Sequence, residues 1–163
     1  SKISNHYMEY SKTSLRKVSK DITDSLGKLP PQALEIEEAV LGALMLEKDA
    51  LSNVIDILNQ ESFYSDAHKA IFEAILDLFN NTEPVDMRTV VSQLRKNGKL
   101  EFVGGAYYIA ELTSKISSAA NVEHHARLIL EMAIKRQLIH VASEIHQMAY
   151  EDTTDVFNLL DRI

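Results

Sequence analysis

The sequence contains no cysteine, and it has only five glycines and three prolines. The absence of cysteine excludes disulfides, thiolate zinc sites and cysteine nucleophiles, and it is typical of a reducing compartment. So few chain-breaking residues argue against an all-β fold, which needs a turn about every 8–12 residues. The longest apolar run, from Ala39 to Leu46, has 8 residues, whereas a membrane-spanning helix needs about 20. We therefore expect a soluble, cytoplasmic protein.

Acidic side chains outnumber basic ones, with 24 Asp and Glu against 17 Lys and Arg and a net charge of −7. Residues 1–29 hold six of the basic and three of the acidic side chains, so the remaining residues carry −10. A domain this acidic repels phosphate groups, and we do not expect it to bind nucleic acid tightly. Residues 1–29 are also rich in serine, which predicts a flexible basic arm.

The 163 residues are 45% hydrophobic and allow one domain of ordinary size. Apolar residues at spacings of three and four predict successive helices between residues 30 and 118, and no segment alternates as a strand would. Ser65 or Asp66 and then Asp86 are predicted N-caps, and Asn97-Gly98 a C-cap. The fold class is therefore all-α, with a small helical globule over residues 30–118.

The segment from Asn121 to Tyr150 has no glycine or proline, and it is long enough for a helix of about 45 Å. Its apolar residues fall on several faces, so several sides must be covered. One stripe lies apart from the others and is a candidate self-association surface: Leu128, Met132, Ile139 and Tyr150. Surplus apolar surface is typical of an interface, but packing against the chain's own helices explains this stripe equally well.

A second helix is predicted after residues 152–155, and its apolar pattern breaks off at Ile163. Residues 119–163 are therefore expected to form a helical hairpin whose second helix is truncated.

No catalytic, cofactor-binding or metal-binding residue is predicted. Gly27-Lys28 and Gly98-Lys99 are both followed by leucine, and neither has the spacing of a phosphate-binding loop. No glutamate is followed by histidine three residues later, which excludes the usual di-iron pattern of helical bundles. His68 lies in an apolar stripe and is predicted to be a hydrogen-bonded core histidine. The glutamates at 35, 37 and 38 are expected to form a solvated helix start.

A series of short motifs, in this order and spacing, resembles the N-terminal domain of DnaB-type bacterial replicative DNA helicases. The resemblance extends over about residues 30–163, and one departure is Ser117, where the family usually has proline. The motifs are Pro30-Pro31, Glu37-Glu38, Val40-Leu41-Gly42, Phe63-Tyr64, His68, Ile71-Phe72, Asp86, Thr89, Leu94, Gly98-Lys99-Leu100, Gly104-Gly105, Tyr108 and Ser118-Ala119-Ala120-Asn121.

The resemblance implies a hexameric ring in which a RecA-like motor domain, absent from this chain, hydrolyses ATP with Mg²⁺ and unwinds DNA. It implies that N-terminal domains pair through their hairpins as a trimer of dimers. The resulting collar would bind primase, and in some cases a helicase loader, while DNA is bound mainly by the motor domain. This chain would itself catalyse nothing. Two other hypotheses remain open, a free-standing helical adaptor that dimerises without a motor domain and a helical enzyme with a carboxylate or histidine site.

Overall fold

A computed structural model describes residues 27–116, 118–151 and 155–163, and these residues contain helices and turns without any strand. This confirms the all-α fold class. The helices, in chain order, are α1 (Leu34–Leu46), α2 (Asp66–Asn80), α3 (Met87–Lys96), α4 (Leu100–Val103), α5 (Gly105–Ser114), α6 (Val122–Ala149) and α7 (Val156–Leu160). Single turns of 3₁₀ helix cover Leu51–Asn53 and Gln60–Ser62.

Local hydrogen bonds fix the helix ends as the sequence predicts. The Ser65 hydroxyl accepts a hydrogen bond from the backbone N–H of His68 at the start of α2. At the start of α3, Asp86 and Thr89 form a reciprocal capping box with two bonds of 2.9 Å. Gly98, with a φ of +69°, follows the end of α3, where a left-handed residue lets the chain leave the helix.

Residues Pro31–Leu138 form one compact unit. Its core is built by α1, α2, α3 and α5, with α1 packed against α5 and α2 against α3. Val122, Ala126 and Ile129 of α6 complete it, and these three residues share a buried face. The largest fully buried apolar side chains are Phe63, Phe72, Leu41, Leu44, Ile71, Ile75, Leu78, Leu94, Ile109, Leu112 and Ile129.

Gly42 lies in the middle of α1, where glycine costs about 1 kcal/mol relative to alanine. A Cβ atom at this position would overlap the backbone oxygen of Leu112 and lie 2.7 Å from the side chain of Ile116. The absence of a side chain therefore allows α1 to approach the end of α5 closely.

Several local predictions were wrong. The apolar spacing of residues 50–58 predicts a short α-helix, but they form one 3₁₀ turn and further turns, and the four-residue helix α4 was not predicted. The spacing of apolar residues also predicts that Leu34 and Phe79 are buried, but they are 40% and 43% exposed. Both lie at a helix terminus, where the neighbouring turn that would cover the side chain is missing.

The described residues among 27–30 and 139–163 are grouped as a second compact unit. Within it, the Arg162 guanidinium lies 3.5 Å from Sδ of Met148, so Arg162 lies beside the end of α6. Residues 1–26 of the predicted arm lie outside the described residues, and so does Ser117. The domain boundaries expected at residues 29 and 118 remain predictions. None of the helices described is both long and apolar enough to cross a membrane.

Candidate functional site

The second compact unit exposes a high proportion of its apolar side chains. We name these the C-terminal apolar set, and all of them are about half or more accessible to solvent. Helix α7 has no buried residue, and its only side-chain cap is Asp155, which accepts a hydrogen bond from the N–H of Phe157. Apolar surface of this extent is typical of a protein interface. The set consists of Ile139, Tyr150, Val156, Phe157, Leu160 and Ile163.

The predicted stripe on α6 divides into two halves of different exposure. Leu128 and Met132 are of intermediate burial. Ile139 is 48% exposed, and Tyr150, one residue past the helix, is 74% exposed. The two outer residues therefore belong to the C-terminal apolar set, and the role of the stripe in self-association remains a prediction. Neighbouring Leu138 is 64% exposed.

A buried polar cluster joins three helices of the first unit. Glu37 of α1 is 1% exposed, and its carboxylate accepts hydrogen bonds from the backbone N–H groups of Tyr64 and Ser65, at 2.8 and 3.3 Å. One of its oxygens also lies 2.8 Å from Nδ1 of His68 on α2. The other ring nitrogen, Nε2, lies 2.7 Å from the Tyr108 hydroxyl on α5. The core role predicted for His68 is confirmed, whereas the solvated position expected for Glu37 is wrong.

Tyr108 is the member of this cluster closest to solvent. Its pKa is raised to about 12, first because burial disfavours the phenolate and second because the carboxylates of Glu38, Glu111 and Glu37 repel it. The hydroxyl therefore stays protonated, and it is hydrogen-bonded to Nε2 of His68, whose Nδ1 is hydrogen-bonded to Glu37. Both ring nitrogens of His68 and both carboxylate oxygens of Glu37 thus have hydrogen-bond partners within the chain, and the cluster connects the three helices.

A shallow cavity of about 560 Å³ opens beside Tyr108. At its edge Lys115 lies 3.6 Å from Glu38 and 3.4 Å from Glu111. These carboxylates raise the pKa of Lys115, chiefly through the hydrogen bond to Glu111. The residues lining the cavity are Leu34, Glu38, Tyr64, Ser65, Asp66, His68 and Tyr108.

Arg136 connects the middle of α6 to two other segments of the first unit. The sequence did not predict this connection. Its guanidinium donates to the backbone oxygens of Pro31 and Ser62, at 2.8 and 2.9 Å. It also lies 5.5 Å from the centre of the Tyr64 ring, within range of a cation–π interaction. The available signal was an arginine between the apolar residues Ile134 and Leu138, but its partners are distant in sequence.

The remaining histidines do not form a metal site in the part of the chain that the structure describes. His124 and His125 are neighbours whose ring centres are 6.1 Å apart, and His140 lies 3.6 Å from Glu144 as an exposed pair one helical turn apart. No group of three potential metal ligands occurs among the described residues.

Comparisons with known proteins give one consistent result. The sequence model of the family described as "DnaB-like helicase N terminal domain" matches residues 29–131. Replicative DNA helicase DnaB of Rhodothermus marinus is 44% identical over 137 residues, which are 84% of this chain and 14% of that protein. The DnaB helicase of Geobacillus stearothermophilus is 42% identical over 134 residues, 82% of this chain and 30% of that protein. The chain thus spans less than a third of the length of these relatives.

Solved structures agree with the sequence matches. The crystal structure of the N-terminal domain of DnaB helicase from Mycobacterium tuberculosis superimposes with a TM-score of 0.78 at 38% identity, covering 82% of this chain and 94% of that one. A DnaB-like replicative helicase, solved in a study of its interactions with primase, matches with a TM-score of 0.66 at 25% identity over 80% of this chain and 30% of that one. The family pattern covers more than half of the chain and the fold agrees with it, so this chain belongs to the DnaB-like helicase N-terminal domain family.

Proposed function

We propose that this chain is the assembly and docking domain of a bacterial replicative DNA helicase. Its copies pair through the C-terminal apolar set and build a collar of three dimers within a hexameric ring. DNA unwinding, with ATP and Mg²⁺ as cofactors, belongs to a motor domain in the rest of the protein. The cysteine-free composition is typical of a reducing compartment, and the proposal places the protein in the cytoplasm at the replication fork.

The observation that carries the proposal is the exposure of the C-terminal apolar set. Phe157 is 77% exposed, Ile163 83% and Tyr150 74%. Burying a side chain of this size contributes about 1.5–3 kcal/mol. Covering these residues between two copies therefore contributes a free energy of the same order as the cost of association, which is about 4–15 kcal/mol.

Primase is the second partner of the proposal. Support comes from the solved structure of a DnaB-like replicative helicase that resembles this chain. The study of that helicase also concerned its interactions with primase. The domain also carries net negative charge outside its first 29 residues, which favours a protein partner over DNA. A helicase loader is the third proposed partner, and it would bind the assembled collar.

Sedimentation velocity of the purified chain tests the self-association. We expect the double variant Ile139→Asp with Tyr150→Asp to lose the oligomer, because two carboxylates in an apolar interface leave buried charges unpaired. The sequence-predicted pair, Leu128→Asp with Met132→Asp, should act in the same direction. Since those two side chains are half-buried, circular dichroism must show that the helical content is kept.

The matched control is Gln137→Asp with Gln147→Asp, which adds the same two charges to exposed polar positions of the same helix. This variant should sediment as the unchanged protein does. An oligomer that survives Ile139→Asp with Tyr150→Asp would refute pairing through the C-terminal apolar set. Loss of the oligomer in the control as well would assign the effect to net charge instead.

A further inference from the structure

The first unit has a second apolar surface that shares no residue with the C-terminal apolar set. It is a groove of about 760 Å³ between the end of α1 and the segment that joins α2 to α3. Leu46 and Phe79 line this groove, and they are 49% and 43% exposed. Its apolar lining is formed by Met45, Leu46, Leu51, Phe79, Pro84 and Val85.

Acidic side chains dominate the rim of this groove. Asp49, Glu83 and Asp86 line it, with Lys48 as the opposing charge. Asp86 already accepts a hydrogen bond from the N–H of Thr89 as the cap of α3. Asp49 and Glu83 have no ion-pair partner among the residues that the structure describes. The rim therefore carries excess negative charge available to cations from outside.

The lip of the groove holds a non-glycine residue in a left-handed conformation. Thr82 has a φ of +58° and follows the end of α2. The Thr82 N–H donates to the oxygen of Phe79, and the N–H of Glu83 donates to that of Leu78, so the helix ends in a Schellman motif. Glycine is the usual residue at this position, and a β-branched side chain is strained there. The strained Thr82 side chain lines the groove.

We propose that this groove binds a basic amphipathic helix of a partner protein. Apolar residues one turn apart on that helix would contact Leu46 and Phe79, and flanking lysines or arginines would pair with Asp49 and Glu83. Among the common modes of peptide recognition, strand addition needs a sheet edge, and the described residues contain no strand. Polyproline recognition needs an aromatic-lined groove, whereas Phe79 is the one aromatic lining residue here. An apolar groove with charged edges fits the helix-in-groove mode.

Two synthetic peptides test the proposal on the full chain by amide chemical shifts. The first is an amphipathic helix with leucine on one face and lysine on the other, and the second has glutamate in place of every lysine. We expect the lysine peptide to shift amides in residues 45–52 and 79–86, and the glutamate peptide to leave them unchanged. Phe79→Ser, at an exposed position, should remove these shifts.

Charge reversal separates recognition by the rim from unspecific binding. Asp49→Lys with Glu83→Lys should weaken the lysine peptide about tenfold and allow the glutamate peptide to bind. The control Glu35→Lys with Glu101→Lys makes the same charge change at exposed positions outside the groove and should leave the affinity for the lysine peptide within about twofold.

Three results would overturn the proposal. These are absence of binding by the lysine peptide, equal binding of the two peptides, and shifts confined to residues outside the groove. If Phe79→Ser or the rim variant instead lowers the sedimentation coefficient, the groove joins copies of this chain and the partner-helix proposal is also wrong. None of these variants alters the C-terminal apolar set, so failure here leaves the proposed self-association unaffected.

Discussion

Nδ1 of His68 lies 2.8 Å from a carboxylate oxygen of Glu37, and the two side chains are 3% and 2% exposed. Burying a carboxylate is costly unless hydrogen-bond donors surround it. Glu37 meets this condition, because two backbone N–H groups and the imidazole converge on it. The pair connects α1 to the start of α2, and His68 extends the connection to α5 through Tyr108. Three helices are thus held by one buried polar cluster.

Replacing Glu37 by alanine is expected to lower the free energy of unfolding by about 3–5 kcal/mol, since the substitution leaves buried donors unpaired. Chemical denaturation followed by circular dichroism measures this change. Glu35→Ala is the matched control, because Glu35 lies in the same first turn of α1 but is exposed. The two variants should differ by more than about 2 kcal/mol. Equal stability would show that the cluster contributes little to folding.

Tyr108 should make the stability of the folded chain depend on pH in the alkaline range. Its pKa is about 12 in the folded chain and 10.0 without the surrounding structure. Its stabilising contribution is therefore complete below about pH 10 and is lost as the pH rises through about 12. Absorbance of tyrosinate in a pH titration should show one tyrosine that ionises last, and Tyr108→Phe should remove that step. Tyr107→Phe, at an 81% exposed neighbour, should leave it in place; a late step that persists in Tyr108→Phe would contradict the assignment.

Gly42→Ala should destabilise the chain, although alanine is the better helix former. The added methyl group has no room against Leu112 and Ile116, and overpacking of this kind costs about 1–3 kcal/mol. Thermal unfolding gives the melting temperature of this variant. The control is Gly27→Ala, because nothing lies within 4 Å of the added atom at that position. A melting temperature for Gly42→Ala at or above that of the unchanged chain would show that α1 and α5 are not in close contact.

Thr82→Gly should stabilise the chain, because glycine adopts a φ of +58° without the steric cost that a β-branched residue pays there. The expected gain in the free energy of unfolding is about 0.5–1 kcal/mol. The same substitution at the adjacent Asn81, whose φ is −87°, should lower stability. Equilibrium denaturation of both variants measures the difference, and a loss of stability in Thr82→Gly would contradict the assigned backbone conformation.

The sequence predicts those features of the helices that depend only on local chemistry. The Ser65 and Asp86 caps and the turn at Gly98 all depend on residues that are neighbours in the chain, and the structure confirms them. The motif order also identifies the family, which the comparisons confirm.

Features that depend on distant residues could not be predicted. Glu37 looked like part of a solvated acidic helix start, and only its 31-residue separation from His68, closed by the fold, makes it a buried partner. Arg136 likewise meets Pro31 across 105 residues. The role of the self-association stripe depends on contacts with a second copy of the chain, and such contacts follow neither from the local sequence pattern nor from the structure of one chain.

The central claim, that copies of this chain pair through the C-terminal apolar set, is tested most directly by light scattering of the unchanged chain over a range of concentrations. The monomer mass is 18.4 kDa. We predict a mass that rises with concentration to at least twice this value and returns to it in Ile139→Asp with Tyr150→Asp. A constant 18.4 kDa at every concentration for the unchanged chain would contradict the claim.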